Sequence, residues 1–260
     1  MKLHETALIT GASGGIGYEF AKVFAEKGVN LVIVARSEDK LNILSAELKN
    51  KYLIDIKVIV KDLSSSQSVQ EVFNEIEEAG IQIDYLINNA GFAEFGKFAD
   101  NDWQREFDMI NLNITALTHF TKLYLKKMIS VGKGRILNVA STVAYQPMPM
   151  MAVYGATKSY VLSFTEAVAA EAEGSGVTVT ALCPGATKSG FGEDSGAGDS
   201  IMFNKYTTAS SRSVAEYGYK SMMSGKHSAI HGVLNKIVAV KVRFLPHKWV
   251  TKLMMKVLDK

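Results

Sequence analysis

The feature that most constrains the fold is a regular alternation of short apolar runs with longer segments of helical periodicity. The run Leu31–Ala35 (LVIVA) is continuously apolar, as is typical of a strand buried on both faces. Strand–helix–strand units with short, right-handed connections form parallel sheets. The chain is therefore predicted to be α/β, with a doubly wound parallel sheet and helices on both faces. The predicted strands are Thr6–Thr10, Leu31–Ala35, Ile56–Val60, Tyr85–Asn88, Arg135–Val139 and Val177–Leu182, and the helices are Gly14–Gly28, Glu38–Lys49, Ser64–Ala79, Trp103–Met128 and Val153–Glu173.

No Pro- or Ser-rich linker divides the 260 residues, so one domain over residues 1–260 is expected. Ser64 to Ser66 are expected to cap the third helix. The segment Ser189–Ser200 (SGFGEDSGAGDS) is rich in glycine and poor in apolar residues. We expect a mobile substrate loop at about 189–212, acting as a lid at the carboxyl edge of the sheet, with a disordered surface insertion as the alternative.

The C-terminal part of the chain is basic, although the net charge of the whole chain is only +3. Residues 226–260 carry eight Lys or Arg against one acid, which leaves the other 225 residues at about −4. We interpret this basic helical tail, about residues 233–260, as a solvated face. The alternatives are contact with an anionic membrane, nucleic acid or an acidic substrate. Trp249, Leu253 and Val257 share a helical spacing that fits a peripheral helix, a subunit contact or a helix that caps the core.

A cytoplasmic location is expected. Cys183 is the one cysteine, so no internal disulfide can form, which suits a reducing compartment. The N-terminus has no signal-peptide pattern, and no apolar run approaches the roughly 20 residues of a membrane span. No metal is expected, because the five His and one Cys lack ligand spacing. No nucleic-acid partner is expected either.

A glycine-rich turn follows the first strand and opens the first helix, with the sequence TGASGGIG at residues 10–17. Glycines at this place let the backbone approach a pyrophosphate, whose charge the helix N-terminus stabilises. The turn predicts a Rossmann-type dinucleotide site, although a simple tight turn is the alternative. Its candidate contacts are Gly11, Ser13, Gly14, Gly15, Ile16 and Gly17.

The second predicted strand ends at Ala35-Arg36. An acid at this position would bind the ribose hydroxyls of NAD, whereas the planar guanidinium of Arg36 suits a 2′-phosphate. Ser13, Ser37 and Lys40 could add contacts. The sequence therefore predicts NADP(H) as the cofactor, with an ordinary surface cation as the alternative.

Tyr154 and Lys158 stand four residues apart, which puts both on one face of a helix. A nearby ammonium favours the phenolate, so we expect Lys158 to lower the pKa of Tyr154 and make it a usable acid or base. Ser141 follows the fifth strand, where its hydroxyl can point toward the same edge. Cys183 has no paired His and is expected to pack rather than to act as a nucleophile.

Taken together, the motifs resemble the short-chain dehydrogenase/reductase family, in its single-domain branch. The resemblance runs from Thr6 to about Ser189. It is specific because the motifs occur in order: TGASGGIG at 10–17, Asp62-Leu63, Asn88-Asn89-Ala90-Gly91, Asn111, Ser141, Tyr154 with Lys158, and Pro184-Gly185.

The resemblance implies catalytic roles. Tyr154 donates a proton to the carbonyl oxygen, and Ser141 orients that oxygen. Lys158 holds the nicotinamide ribose and lowers the pKa of Tyr154. Asn111 supports a water that links Lys158 to solvent, with Asn113 as a competitor for this role.

The resemblance also implies cofactor contacts. Asp62 and Leu63 contact the adenine, and the turn at residues 88–91, with Asn89, Ala90 and Gly91, lines the cofactor crevice. After Pro184-Gly185, either Thr187 or Ser189 binds the carboxamide.

The resemblance predicts an oxidoreductase that reduces a ketone of a hydrophobic substrate with NADPH, reversibly, and that forms a homo-oligomer. The loop Val143–Met151, with Phe92 and Phe95, is expected to form an apolar substrate wall, unless these residues pack the core or a subunit contact. Arg36, the ATKS segment at residues 156–159 and Phe244-Leu245-Pro246 suggest bacterial ketoreductases. The alternatives are a 3-ketoacyl-thioester or hydroxysteroid dehydrogenase, or a catalytically silent protein of this fold that senses a cofactor or associates with a membrane.

Overall fold

The computed structural model describes residues 5–191 and 208–258, except for the side chains of His247 and Val257. Its main sheet has seven strands in the order β3-β2-β1-β4-β5-β6-β9, and every neighbouring pair is parallel. The strands are β1 Thr6–Thr10, β2 Asn30–Ala35, β3 Ile56–Val60, β4 Tyr85–Asn88, β5 Gly134–Val139, β6 Val177–Cys183, β7 Thr187–Lys188, β8 Ala209–Ser210 and β9 Ser228–Ile230. Strands β7 and β8 pair separately. The predicted fold class, a doubly wound parallel sheet, is confirmed.

Helices cover both faces of this sheet. They are α1 Gly15–Ala25, α2 Glu38–Lys51, α3 Ser68–Glu78, α4 Trp103–Ile110, α5 Leu117–Val131, α6 Ala152–Glu171, α7 Ser211–Met223, α8 Val233–Val242 and α9 His247–Leu258. Alternate residues of β2 point to opposite layers. Leu31 and Ile33 pack with α1, α2 and α7, whereas Val32 and Val34 pack with α3, α5 and α6. The continuous apolar run therefore forms a strand buried on both faces.

Two helices differ from the sequence prediction. Helix α3 begins at Ser68 and not at Ser64, because the backbone N–H and hydroxyl of Ser64 both donate to Asp62 Oδ1, at 2.9 and 2.7 Å. The predicted long helix contains a π-helical stretch, Asn111–Ala116, between α4 and α5. A π-helical stretch changes the direction in which the side chains after it point around the helix axis.

The region after β6 also differs. Strand β9 was not predicted, since three residues carry no recognisable pattern of their own. Most of the predicted substrate loop, residues 192–207, lies outside the described part. Its end, Ala209 to Arg212, forms β8 and the start of α7. Within the described part, no helix is long and apolar enough to cross a membrane.

The glycine-rich turn brings α1 very close to the end of β1. A Cβ added at Gly17 would lie 2.3 Å from the carbonyl oxygen of Gly11 and 2.4 Å from Nδ2 of Asn89. Gly11 itself has φ of +68°, a conformation that favours glycine. Gly17 is buried and does not line the crevice described below. The prediction that Gly17 contacts the cofactor is corrected, because its role is to let the helix pack against the turn.

We predict that Gly17→Ala lowers the stability of the fold by about 1–3 kcal/mol, because the new methyl group meets a backbone carbonyl that cannot move aside. Thermal unfolding followed by circular dichroism measures the effect. Gly14→Ala in the same turn is the control, since no atom lies within 4 Å of a Cβ at Gly14. Equal melting temperatures for the two variants would contradict the prediction.

Candidate active site

A crevice of about 670 Å³ opens where the carboxyl ends of β1 and β4 lie side by side. The chain reverses its winding direction between these strands, and doubly wound sheets bind ligands at that point. Most of the predicted site residues line this crevice: Gly11, Ser13, Gly14, Gly15, Ile16, Arg36, Asp62, Leu63, Asn89, Ala90, Gly91, Ser141, Tyr154, Lys158, Pro184, Gly185, Thr187 and Ser189. The fold therefore gathers residues from distant parts of the sequence at one edge of the sheet.

The glycine-rich turn forms one wall and fits a pyrophosphate. Gly14 is the N-cap of α1 and has no side chain to bond the first N–H groups of the helix. The first turn of α1 contains no acid, and the space beside Gly14 is open. An anion at this place would accept hydrogen bonds from the helix N-terminus and interact favourably with its dipole.

A cationic patch lies at the next part of the crevice. Arg36 and Lys40 line it together with Ser13 and Ser37. The Arg36 guanidinium lies 3.8 Å from the Asp62 carboxylate, and both side chains are at least half exposed. An exposed pair of this kind is weak, so Arg36 can turn toward a bound phosphate at little cost. Lys61, which the sequence analysis did not single out, also lines this end.

The opposite part of the crevice contains a buried lysine and tyrosine on α6. Lys158 Nζ donates a 2.8 Å hydrogen bond to the carbonyl oxygen of Val139 and lies 5.8 Å from the centre of the Tyr154 ring. Ser141 follows β5, where its hydroxyl donates to the carbonyl oxygen of Pro184 at 3.4 Å and accepts from the Val143 N–H at 3.3 Å. The three functional groups therefore stand together at the carboxyl end of β5.

Burial controls the protonation of this group. It raises the pKa of Tyr154 to about 12, although the hydrogen bond with Ser141 acts in the opposite direction. Burial also lowers the pKa of Lys158 to about 8. The expectation that Lys158 lowers the pKa of Tyr154 is therefore corrected for the protein alone. The lysine bonds the Val139 carbonyl and not the phenol, and the Phe191 ring covers Tyr154 at a centroid distance of 5.4 Å.

The asparagine in this group is Asn113, not the predicted Asn111. Asn113 is 1% exposed, accepts a hydrogen bond from the Phe92 N–H, and donates to the Phe92 carbonyl and to Thr157. A Cβ placed on Gly91 would lie 2.8 Å from Asn113 Oδ1 and 3.5 Å from Lys158 Nζ. The Asn113 amide and the Lys158 amino group therefore both lie beside Gly91. Asn111 is half-buried, and neither asparagine lines the crevice itself, so it is the contact with Gly91 and Phe92 that distinguishes Asn113. Residues two apart on a helix point to nearly opposite sides, so only one of the two can face Lys158.

Asn88, the first residue of the NNAG motif, lies behind the crevice. Its Nδ2 donates to Asn138 Oδ1 at 2.9 Å and to Thr121 Oγ1 at 3.1 Å, and the three side chains are buried. Asn138 in turn donates to Thr165. This network joins β4 and β5 to α5 and α6. Asn88 therefore supports the crevice from behind and does not line it.

The two candidate hydroxyls after Pro184-Gly185 both line the crevice. Thr187 donates to the Gly185 carbonyl at 2.9 Å, and Ser189 donates to the Thr187 carbonyl at 3.3 Å. Ser189 also lies against the glycine-rich turn, since a Cβ on Gly15 would come within 2.9 Å of it. Both hydroxyls are therefore placed to reach a bound group.

An apolar wall borders Tyr154. Of the predicted wall residues, Phe92, Val143 and Met151 line the crevice. Arg105, which also lines the crevice, was not predicted because it belongs to no motif, whereas Phe191 was predicted only as part of the substrate loop at about 189–212. The Arg105 guanidinium lies 4.7 Å from the centre of the Phe92 ring and forms a 2.8 Å ion pair with Glu94.

Other predicted wall residues support this surface from below. Met148 is buried, and a Cβ on Gly155 would lie only 2.7 Å from its Cβ. Met150 has a φ of 62°, unusual for a residue with a side chain, and its carbonyl accepts from the Gly96 N–H at 2.8 Å. Phe95 belongs to the same apolar cluster. Cys183 is fully buried and its pKa is raised to about 11, so it packs as expected and is not a reactive thiolate.

Comparison with known proteins assigns this arrangement to a family. The model of the short chain dehydrogenase family matches residues 5–199. A curated relative, the 7β-hydroxysteroid dehydrogenase of Collinsella aerofaciens, is 34% identical over 186 residues, which cover 72% of this chain and 70% of that protein.

Solved structures agree with this assignment. A short-chain dehydrogenase from Sphingobium yanoikuyae in complex with NADPH is 30% identical, with a TM-score of 0.82 over 92% of this chain and 94% of that chain. A 7β-hydroxysteroid dehydrogenase is 28% identical, with a TM-score of 0.86 over 96% of each chain.

We predict that Asn113→Ala lowers the stability of the protein by about 1–3 kcal/mol, because it leaves the N–H and carbonyl of Phe92 without their partner. Asn111→Ala is the matched control and should change stability by less than about 0.5 kcal/mol. Urea unfolding of both variants measures the difference. A larger loss for Asn111→Ala would show that the two positions have been assigned in the wrong order.

Proposed function

Since the chain belongs to the short-chain dehydrogenase family, we propose that it is an NADP(H)-dependent enzyme that reversibly reduces the ketone of a hydrophobic substrate to an alcohol. One observation carries this proposal: Ser141, Tyr154 and Lys158 meet between an apolar wall and a cationic dinucleotide crevice. The group is complete, which favours an active enzyme over a silent protein of the same fold.

The side chains supply binding and proton transfer. NADPH, when bound in the crevice, would supply the hydride for the carbonyl carbon. The Tyr154 phenol donates its proton to the carbonyl oxygen, and the Ser141 hydroxyl, which lines the same crevice, orients that oxygen. Lys158 holds the ribose and stabilises the tyrosinate that remains. With its pKa lowered to about 8, Lys158 exchanges protons near neutral pH and can return one to Tyr154.

The choice of NADP(H) over NAD(H) rests on charge. Arg36 and Lys40 line the crevice beyond the end of β2, where an enzyme that prefers NAD carries an acid. Ser13 and Ser37 add hydroxyl donors. The similar short-chain dehydrogenase of known structure binds NADPH, which supports the same choice here.

The substrate class follows from the wall beside Tyr154. Phe92, Val143, Met151 and Phe191 offer a broad apolar surface with an adaptable thioether. Because two of the similar proteins are 7β-hydroxysteroid dehydrogenases, a flat, bulky ketone such as a steroid is the first candidate substrate. We further propose a homo-oligomer in a reducing, cytoplasmic compartment, in keeping with the single buried cysteine.

A panel of ketones tests the function directly. Ketosteroids, bulky aryl ketones, keto esters and 3-ketoacyl thioesters should be supplied with NADPH, and cofactor oxidation followed by its absorbance. The ketosteroids and bulky ketones should be reduced with the greatest kcat/KM. Preferential reduction of 3-ketoacyl thioesters would show that these, and not ketosteroids or bulky ketones, are the substrate class. If no member of the panel is reduced, the proposed function is wrong.

We predict that Tyr154→Phe lowers kcat by about 10²–10⁴, because the proton donor is lost while the ring is kept. The Kd for NADPH, measured by fluorescence titration, should stay close to the wild-type value. Tyr160→Phe, on the outer part of the same helix, is the control and should leave kcat unchanged. Turnover of Tyr154→Phe within a few-fold of wild type would exclude Tyr154 as the donor.

We predict that Arg36→Asp changes the preference for NADP(H) over NAD(H) by about 10- to 100-fold, because it removes a charged hydrogen bond to the 2′-phosphate and adds repulsion. The ratio of kcat/KM for the two cofactors measures the change. Lys49→Asp, an exposed site at the other end of α2, gives the same change in charge and should leave the ratio unaltered. An unaltered ratio in Arg36→Asp would assign the phosphate site elsewhere.

A further inference from the structure

Helices α8 and α9 present an apolar surface to solvent. In α8 the exposed apolar side chains lie on one side and the buried Ala239 on the other, since successive residues turn by about 100°. Phe244 is 83% exposed and Trp249 is 67% exposed. We call this surface the tail face; its apolar members are Val233, Leu234, Ile237, Val238, Val240, Phe244, Leu245, Trp249, Leu253 and Met255.

An apolar surface of this extent requires an occupant. A helix in a water-soluble domain normally turns its apolar side inward, yet α8 turns it outward. Ten large exposed apolar side chains, eight on the two helices and two in the turn between them, form a patch of the kind that marks a binding surface.

The same surface is strongly basic. Residues 217–258 contain eight Lys or Arg and not one Asp or Glu. Six of these cations lie on α8, α9 and the turn between them: Lys236, Lys241, Arg243, Lys248, Lys252 and Lys256. In α9 the three lysines follow one another at intervals of four residues and run beside the exposed Trp249 and Leu253. The occupant must therefore combine an apolar layer with negative charge.

Helix α9 is fixed to the domain, so that its outer side faces away. Val250 and Leu258 are 4% and 2% exposed, and Leu258 packs in the apolar cluster that contains Tyr154. The Met254 sulfur accepts a 3.2 Å hydrogen bond from Gln146. Arg243 lies over the Tyr145 ring at 5.1 Å, which holds the turn between the helices in place. These contacts hold α9 against the domain, so the tail face is exposed to solvent in a fixed orientation.

Charge decides between the two occupants that could cover an apolar face. A second copy of this chain in a symmetric contact would bring the same cations together, because such an interface uses the same surface twice. The surface of an anionic bilayer supplies phosphates for the lysines and an apolar layer for Trp249, Phe244 and Leu253. The 12-residue α9 is about 18 Å long, too short for a hydrocarbon core of about 30 Å, so it would lie on the surface. We propose that the tail face docks this protein on an anionic phospholipid bilayer.

Vesicle sedimentation of the full chain tests the charge requirement. Wild-type protein should sediment with vesicles of equal parts phosphatidylcholine and phosphatidylglycerol, stay in solution with phosphatidylcholine alone, and be released by high salt. The triple variant Lys248→Gln, Lys252→Gln, Lys256→Gln should lose roughly 100-fold in partitioning, on the order of fivefold for each lysine. Gln substitutions at Lys49, Lys122 and Lys126, exposed on α2 and α5, remove the same charge and should change partitioning by less than about threefold.

The apolar requirement has its own readout. In a Trp103→Phe background Trp249 is the one tryptophan left, and its emission should shift to the blue when the anionic vesicles are added. Phe244→Ser and Trp249→Ser together should abolish sedimentation while leaving the thermal unfolding temperature and the rate with a water-soluble ketone unchanged, because both residues are exposed.

Three results would overturn the proposal. One is wild-type protein that fails to sediment with the anionic vesicles. Another is equal partitioning of the triple lysine variant and its charge-matched control. The third is an oligomer that forms without lipid, as measured by light scattering, and that becomes monomeric when Phe244→Ser and Trp249→Ser are combined. That result would assign the tail face to a second copy of the chain. None of these results bears on ketone reduction, so the docking surface and the catalytic proposal fail separately.

Discussion

The arrangement of the site depends on one buried contact, the hydrogen bond from Lys158 Nζ to the carbonyl oxygen of Val139. This contact ties α6 to the end of β5, and Tyr154 stands one helical turn before the lysine on the same face. A buried ammonium without a partner would be costly. The hydrogen bond to the Val139 carbonyl therefore helps to hold α6 where Tyr154 and Ser141 line the same crevice.

Burial gives the two ends of the crevice different chemistry. At the inner end it raises the pKa of Tyr154 and lowers that of Lys158 to about 8, because a low-dielectric environment disfavours the charged form of each group. At the outer end Arg36 and Lys40 are exposed to solvent, where an anion can approach them. In the proposed reaction, a dinucleotide bound between the two ends would exclude water from Lys158 and Tyr154.

The sequence by itself determined the sheet and the positions of the main chemical groups. Parallel strands buried on both faces read as continuous apolar runs, so the six longer strands were predicted to within one residue at each end. The glycine-rich turn, Ser141 and the Tyr154–Lys158 pair were found because each depends on local spacing. Such signals lie within a few neighbouring residues, and tertiary contacts then bring them to one crevice.

Tertiary structure alone decided the rest. The family resemblance offered both Asn111 and Asn113, and only the fold shows that Asn113 is the one buried beside Gly91, close to Lys158. Strand β9 exists because the edge of β6 offers hydrogen bonds to three residues that have no strand pattern of their own. The pKa of Tyr154 follows from the residues packed around it, among them Phe191 from a distant part of the chain. The basic charge of the tail follows from its residue types alone. Which of its apolar residues face solvent depends on how α8 and α9 pack on the domain.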